Sequence, residues 1–306
     1  MDKVLRIGTR ESQLAVWQAT TVQELLHQQG HKTELVYIKS EGDTDLQTPL
    51  YELGVQGIFT RALDIALLNG DIDLAVHSMK DVPTVMAKGI VQAAILPRAS
   101  YTDIIVPRPG DTFKDNAAQT YLIATSSTRR KAQWLNRYPQ STIENLRGNV
   151  NTRLRKVAES NWHGAIFAAA GLERINLRPE NAVELTWMLP APAQGAILIV
   201  TTAADTYSLQ ACAPLNDVNT EICTRAEREY LRALMGGCTT PISALAKVAD
   251  GIVTFEGNIL SLDGSQKVSV TMTSPIAEAD GLGQKAAEEL LGNGGQAILD
   301  SIRNGQ

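Results

Sequence analysis

The segment LAVHSMKDVP, residues 74–83, runs out of an apolar stretch directly into Ser78, Lys80 and Asp81. A carboxylate beside an ammonium and a hydroxyl suits proton transfer, or stabilisation of a positive charge that develops during a reaction. Asp81 equally suits an Asx-type turn ahead of Pro83, and the two roles are compatible. In YLIATSSTRRKAQW (121–134), Ser126, Ser127 and Thr128 stand at a helix start, with Arg129 and Arg130 in the first turn. Cations there oppose the helix dipole, so the pattern calls for a compensating anion or for two arginines solvated on a helix face. LRGNVNTRLRK (146–156) repeats the arrangement with Arg147 before a glycine and Arg153 in an early turn. At helical spacing Arg155 and Lys156 fall on another face and are expected in solvent. IGTRESQLA (7–15) adds Arg10 and Ser12. So many cations in an otherwise acidic chain point to a polyanionic ligand.

One further group stands out. LMGGCTTPISA (234–244) puts Cys238 in a loop behind two glycines, whereas Cys212 and Cys223 read as packed, buried thiols. Three cysteines without CxxC spacing suggest neither disulfides nor structural zinc, and the four histidines have no ligand spacing. GxGxxG, GxxxxGK[ST] and GxSxG are all absent from the strand-to-helix turns.

The elements that must position these groups alternate. VLRIGT reads as a strand, SQLAVWQATTVQELLHQQG as a helix ending at Gly30, and TELVYI as a second strand. A helix, a glycine turn and IDLAV follow. The pattern restarts with IIV, YLIAT, two helices and GAIFAA, then crosses back through LPAPAQGAILIVT. Such alternation predicts parallel sheets covered by helices, with ligands beyond the carboxyl ends of the strands. From about 217 one helix, three alternating strands and a last helix, GLGQKAAEELL, predict a small α+β domain with an antiparallel sheet.

At 306 residues more than one core is expected. The net charge of −5 argues against nucleic acid or an acidic membrane as partner. The first residues lack the apolar core of a signal peptide and no stretch suits a membrane span, so the cytoplasm is the default expectation.

Taken together, IGTRESQLAVWQA, SEGDT, DIDLAVHSMKDVPT, ATSSTRRKAQ, LRGNVNTRL, AAAGLERI, LPAPAQGA and GGCTTPISA resemble, in order and over essentially the whole chain, the porphobilinogen deaminase (hydroxymethylbilane synthase) family. The resemblance implies an α/β fold of two periplasmic-binding-protein-like domains around a cleft plus a small C-terminal α+β domain. The corresponding division is 1–97 with 195–214, then 98–194, then 215–306. It implies a transferase that joins four porphobilinogen molecules head to tail, each losing ammonia, on a dipyrromethane cofactor bound through a thioether to Cys238. Water then releases hydroxymethylbilane. Gly236 and Gly237 would let the bulky adduct approach the backbone. Asp81 matches the family's catalytic carboxylate. Arg10, Ser12, Lys80, Thr125, Ser127, Arg129, Arg130, Arg147 and Arg153 match positions that bind the pyrrole carboxylates or the cofactor. Ser78 and Ser126 join them as binding candidates, and Gln194 falls in the interdomain segment. No metal is implied, and the family precedent is a monomer.

The sequence departs from the family pattern at Gln56 and Ala62, where lysine and glutamate are common, and at Ala193, where glycine is usual. Two rivals compete with this reading. A noncatalytic two-domain anion-binding protein explains the arginines but leaves Asp81 and the GGC loop without a task. A hydrolase using Cys238 as nucleophile would need a histidine brought near by folding.

Overall fold

A computed structural model of the chain describes residues 3–39, 60–116, 118–234 and 240–304. The described residues fall into two compact units, one holding 3–39, 60–99 and 195–221, the other 100–194 and 222–304.

The first unit is built on a five-stranded sheet in the order β2-β1-β3-β10-β4. Its strands are β1 (Leu5–Thr9), β2 (Thr33–Tyr37), β3 (Leu74–Ser78), β4 (Ile90–Ile95) and β10 (Ile197–Thr202). β1 runs parallel to β2 and β3, while β10 runs antiparallel to both β3 and β4. The predicted parallel sheet is therefore mixed, because the returning chain enters as an inserted reverse strand. Helix α1 (Gln13–Gln28) buries Ala15, Ala19, Val22 and Leu26, one face at helical spacing. Ala19, Val22 and Leu26 pack with Leu5, Ile7, Leu74, Val76, Ile197 and Ile199. Helix α2 (Arg61–Asn69) stops at Gly70, whose φ of +76° lies in the left-handed region that favours glycine. Ala62, one of the departures from the family pattern, lies in its first turn.

The second unit has another five-stranded mixed sheet, in the order β7-β6-β8-β5-β9. These strands are β5 (Asp103–Val106), β6 (Leu122–Ala124), β7 (Thr142–Glu144), β8 (Gly164–Ala168) and β9 (Val183–Glu184). β6 is parallel to β7 and β8, and β5 is antiparallel to β8 and β9. Helices α3 (Thr128–Arg137), α4 (Val150–Glu159) and α5 (Ala169–Glu173) follow β6, β7 and β8 respectively. In the first unit, α6 (Thr206–Cys212) comes after β10.

The C-terminal part of the second unit is an antiparallel meander of β11 (Ile242–Ala249), β12 (Ile252–Leu260) and β13 (Lys267–Pro275). Ala244, Val253, Phe255, Ile259 and Val270 line one face and pack on Tyr230 of α7 (Val218–Ala233), Leu290 of α8 (Leu282–Leu290) and Ile298 of α9 (Gln296–Asn304). The sequence reading ended at α8. Asn293 and Gly294 break the helix, with Gly294 at φ +104°, and α9 starts beyond them. The meander is tied to the larger sheet's layer: Gln133 Nε2 donates to Ser243 Oγ at 3.0 Å, and Ala244 N to the Pro190 carbonyl at 3.2 Å. The turn after β12 presses on α3, where Asn136 Nδ2 donates to the Gly264 carbonyl at 2.8 Å. A Cβ on Gly264 would stand 2.4 Å from the Ala132 carbonyl oxygen, so no side chain fits there.

Candidate functional site

In each unit the parallel strands end on one edge of the sheet, and the antiparallel strand begins there. On the first unit's edge, Arg10 and Ser12 follow β1 and the 3₁₀ turn Met79–Asp81 follows β3. Ile197, which opens β10, pairs with Ser78. Ser12 caps α1, its hydroxyl accepting from Ala15 N at 3.4 Å. Ser78 Oγ accepts from Gln18 Nε2 at 2.8 Å, and Gln18 is itself buried. The turn is held by Met79 N donating to the Ala196 carbonyl at 3.0 Å and Val82 N to the Met79 carbonyl at 3.1 Å, with no side-chain cap. Lys80 and Asp81 are left exposed on that edge.

One residue behind this turn is unusual. His77 is buried and its Nε2 has no hydrogen-bond partner. Burial, and then the charge of Arg10, push its pKa down from 6.5 to about 4. A neutral imidazole results at ordinary pH.

In the second unit, Arg129 and Arg130 share one partner carboxylate. Their anion is internal: Asp103, fully buried at the start of β5. Arg129 Nη2 lies 2.6 Å from Asp103 Oδ2 and its Nη1 donates to the Leu189 carbonyl at 2.7 Å. Arg130 places Nη2 and Nε on Asp103 Oδ1 at 2.7 and 3.1 Å, and Nη1 on the Ile166 carbonyl at 3.0 Å. Burial would raise the Asp103 pKa, but the two guanidiniums outweigh it and hold the carboxyl well below the usual carboxylate range. Gln194, also fully buried, donates through Nε2 to Asp103 Oδ1 at 2.9 Å and to the Tyr101 carbonyl at 2.7 Å. These side chains build the edge.

The hydroxyls divide similarly. Ser127 caps α3 by accepting from Arg130 N at 3.4 Å, and Thr125 Oγ1 accepts from Ser127 N at 3.2 Å. Ser126 bridges to the neighbouring loop, donating to the Leu146 carbonyl at 2.7 Å and accepting from Leu146 N at 2.9 Å. That loop carries Arg147, mostly buried, and Gly148 at φ +113°. A Cβ on Gly148 would meet Thr152 Cγ2 at 2.7 Å, so the turn into α4 requires glycine. Asn149 caps α4, and Arg153 Nε donates to the Gly148 carbonyl at 2.7 Å. Arg155 is exposed as expected, but Lys156 is half-buried and donates to the Arg147 carbonyl at 3.2 Å.

Sequence reasoning passed over Arg174, immediately after α5. Burial pushes its pKa down to about 10, against the opposing pull of Glu173. A signal existed: AAAGLERI follows the third parallel strand of this sheet, so its last residues belong to the same edge as the TSSTRR and LRGN loops. Cys238, Gly236, Gly237 and Gln56 lie outside the described residues. Among the described residues no cluster of histidine, cysteine and acidic side chains could hold a metal ion.

Residues 5–210 match the family model described as porphobilinogen deaminase, dipyromethane cofactor binding domain, and residues 221–292 match that of the porphobilinogen deaminase C-terminal domain. The porphobilinogen deaminase of Syntrophotalea carbinolica is 42% identical over 98% of this chain and 96% of its own length. That of Chlorobium phaeobacteroides is 39% identical over 99% of both chains, and that of Moorella thermoacetica 39% identical over 98% and 96%. Among solved structures, the methionine-binding protein MetQ aligns at 13% identity with a TM-score of 0.43, over 69% of this chain and 89% of that one.

Proposed function

The chain belongs to the porphobilinogen deaminase family, and from that premise we infer the roles of its residues. The protein is a transferase that joins porphobilinogen units head to tail with loss of ammonia, using a dipyrromethane cofactor. Four units are added before water releases hydroxymethylbilane. The donor set fits such a cofactor, because its acetate and propionate groups need cations and hydroxyls, which crowd both sheet edges. When bound through Cys238, dipyrromethane supplies the pyrrole end to which substrate is joined.

Asp81 is assigned the proton at the reacting pyrrole nitrogen and the electrostatic stabilisation of the cation that develops as ammonia leaves. The observation that carries this is its place: an exposed carboxylate beside exposed Lys80 at the carboxyl end of β3. Arg10, Ser12, Ser78 and Lys80 take carboxylates on the first unit's edge. On the second unit's edge Thr125, Ser127, Arg147, Arg153 and Arg174 do the same. Arg129 and Arg130 act through Asp103 as positioning residues, with Gln194 on the same carboxylate, and Ser126 acts through Leu146.

The division into 1–97 with 195–214, 98–194 and 215–306 is the domain organisation we favour, supported by the break between the two matched family models at residues 210 and 221. We likewise favour a cytoplasmic monomer with no nucleic-acid partner, supported by the acidic balance of the chain. No helix among the described residues is long and apolar enough to cross a membrane. Light scattering of the purified protein tests the monomer.

The deciding experiment is the intact mass of the denatured protein beside that of Cys238→Ser. An adduct of dipyrromethane mass on the native chain alone, growing by pyrrole units after brief exposure to porphobilinogen, is expected. A chain that stays bare after incubation with porphobilinogen rejects the reading.

A further inference from the structure

The meander gives one face to its helices and the other to residues 101–102 and 184–190 of the same unit. Near Ser243 and Gly264 that second face is sealed by α3. Beyond the seal it opens into a groove of about 500 Å³, a small-molecule size. Strand register orders its floor. Lys247 pairs with Thr254, Glu256 lies between Leu245 and Thr271, Asn258 between Ser243 and Ser269, and Lys267 pairs with Leu260. Two ammonium groups therefore mark opposite ends, with Glu256 and Asn258 between them. Trp187, Tyr101 and Glu184 line the groove as well. Lys247 Nζ stands 5.2 Å from the centre of the Tyr101 ring.

Asn258 points to a ligand. It is only 3% exposed, it lines the groove, and its Oδ1 is buried without a hydrogen-bond partner. An unmet buried acceptor is costly, so this position calls for an N–H donor. The surrounding charges, two lysines and two glutamates, suit a zwitterion, and the aromatic lining suits a flat ring.

We propose that this groove is a second, noncatalytic site for a heteroaromatic zwitterion, and that its occupant is porphobilinogen. The ring N–H meets Asn258 Oδ1, the carboxylates meet Lys247 or Lys267, the ammonium meets Glu184 or Glu256, and Trp187 covers the ring. None of these residues belongs to the reacting edges. The choice of occupant rests on the family reading, whereas the demand for a donor at Asn258 does not.

The test is a titration of Trp187 fluorescence with porphobilinogen in an Asp81→Ala chain, whose slowed turnover leaves the substrate intact during the measurement. Trp187→Phe in the same chain removes the reporter and isolates its signal from the other three tryptophans. A saturable response that weakens at least tenfold in Asn258→Leu is expected. Leucine there removes an unmet acceptor, so the melting temperature of that variant should hold or rise, and its low-substrate turnover with Asp81 intact should equal wild type. Equal binding by Asn258→Leu, no saturation, or an equal response to acetate overturns the proposal. Wild-type turnover of porphobilinogen is measured in parallel: its absence rejects the family reading, and the isotherm still decides the groove.

Discussion

Asp103 Oδ2 lies 2.6 Å from Nη2 of Arg129, with the carboxylate fully buried and the guanidinium nearly so. Arg130 occupies the other oxygen at 2.7 Å. Removing the negative charge would leave two buried cations facing one another. Asp103→Asn should therefore destabilise the protein by about 3–5 kcal/mol. Thermal or urea unfolding checks this, and an unchanged midpoint would show that the carboxylate is dispensable. The same pairing sets a pH dependence. The folded pKa lies below the unfolded one, so the stabilisation is complete above the ordinary carboxylate range and is lost as pH falls through the depressed folded value.

Asp81→Ala should leave the fold untouched, because the side chain is exposed. Turnover should fall by roughly 10²–10⁴-fold, the usual worth of a positioned acid or base. Circular dichroism and single-turnover assays on one preparation separate the two effects. Near-normal turnover in a folded variant removes Asp81 from the mechanism.

His77 shifts stability with pH in the same direction as Asp103, but through burial rather than an ion pair. Its folded pKa of about 4 lies below the unfolded value, so the unfolded chain binds the proton first as pH falls from 6.5. Stability is therefore eroded between pH 6.5 and 4, by roughly 3 kcal/mol at the acid end. His77→Leu should flatten the profile across that window. If denaturation midpoints of the variant and wild type fall in parallel, His77 is not the group responsible.

Ala193 is fully buried with φ at +61°, in the left-handed region. That backbone costs a residue with a Cβ about 1–2 kcal/mol, more than the roughly 0.5–1 kcal/mol that glycine's extra freedom costs on folding. Ala193→Gly should thus be slightly stabilising, while Ala193→Val should be strongly destabilising. Paired urea titrations decide it, and a loss of stability in the glycine variant would refute the strain.

The groups that stood in the sequence as strand-to-loop transitions were legible. Lys80 and Asp81 follow an apolar run, and the carboxyl end of a parallel strand is where such groups meet a ligand. Arg129 and Arg130 were visible as cations in the wrong place for a helix dipole, but their partner was not. Asp103 lies 26 residues upstream, at the start of a strand whose antiparallel direction local periodicity does not reveal. Direction is a property of the sheet. Arg174 escaped notice because a lone arginine after a five-residue helix looks like any surface cation until β8 is seen beside β6. Helix α9 was hidden by the glycines before it, which end one helix and permit the next.

The bare backbone at Gly264 also bears on how the protein is made. The surface of α3 that receives this turn leaves the ribosome more than a hundred residues before the turn itself does. Until then Asn136 must wait in water with its partner carbonyl unsynthesised. A nascent or prematurely terminated chain would carry a finished-looking central sheet with an uncovered docking surface. Quality-control machinery that senses incomplete docking would find it there.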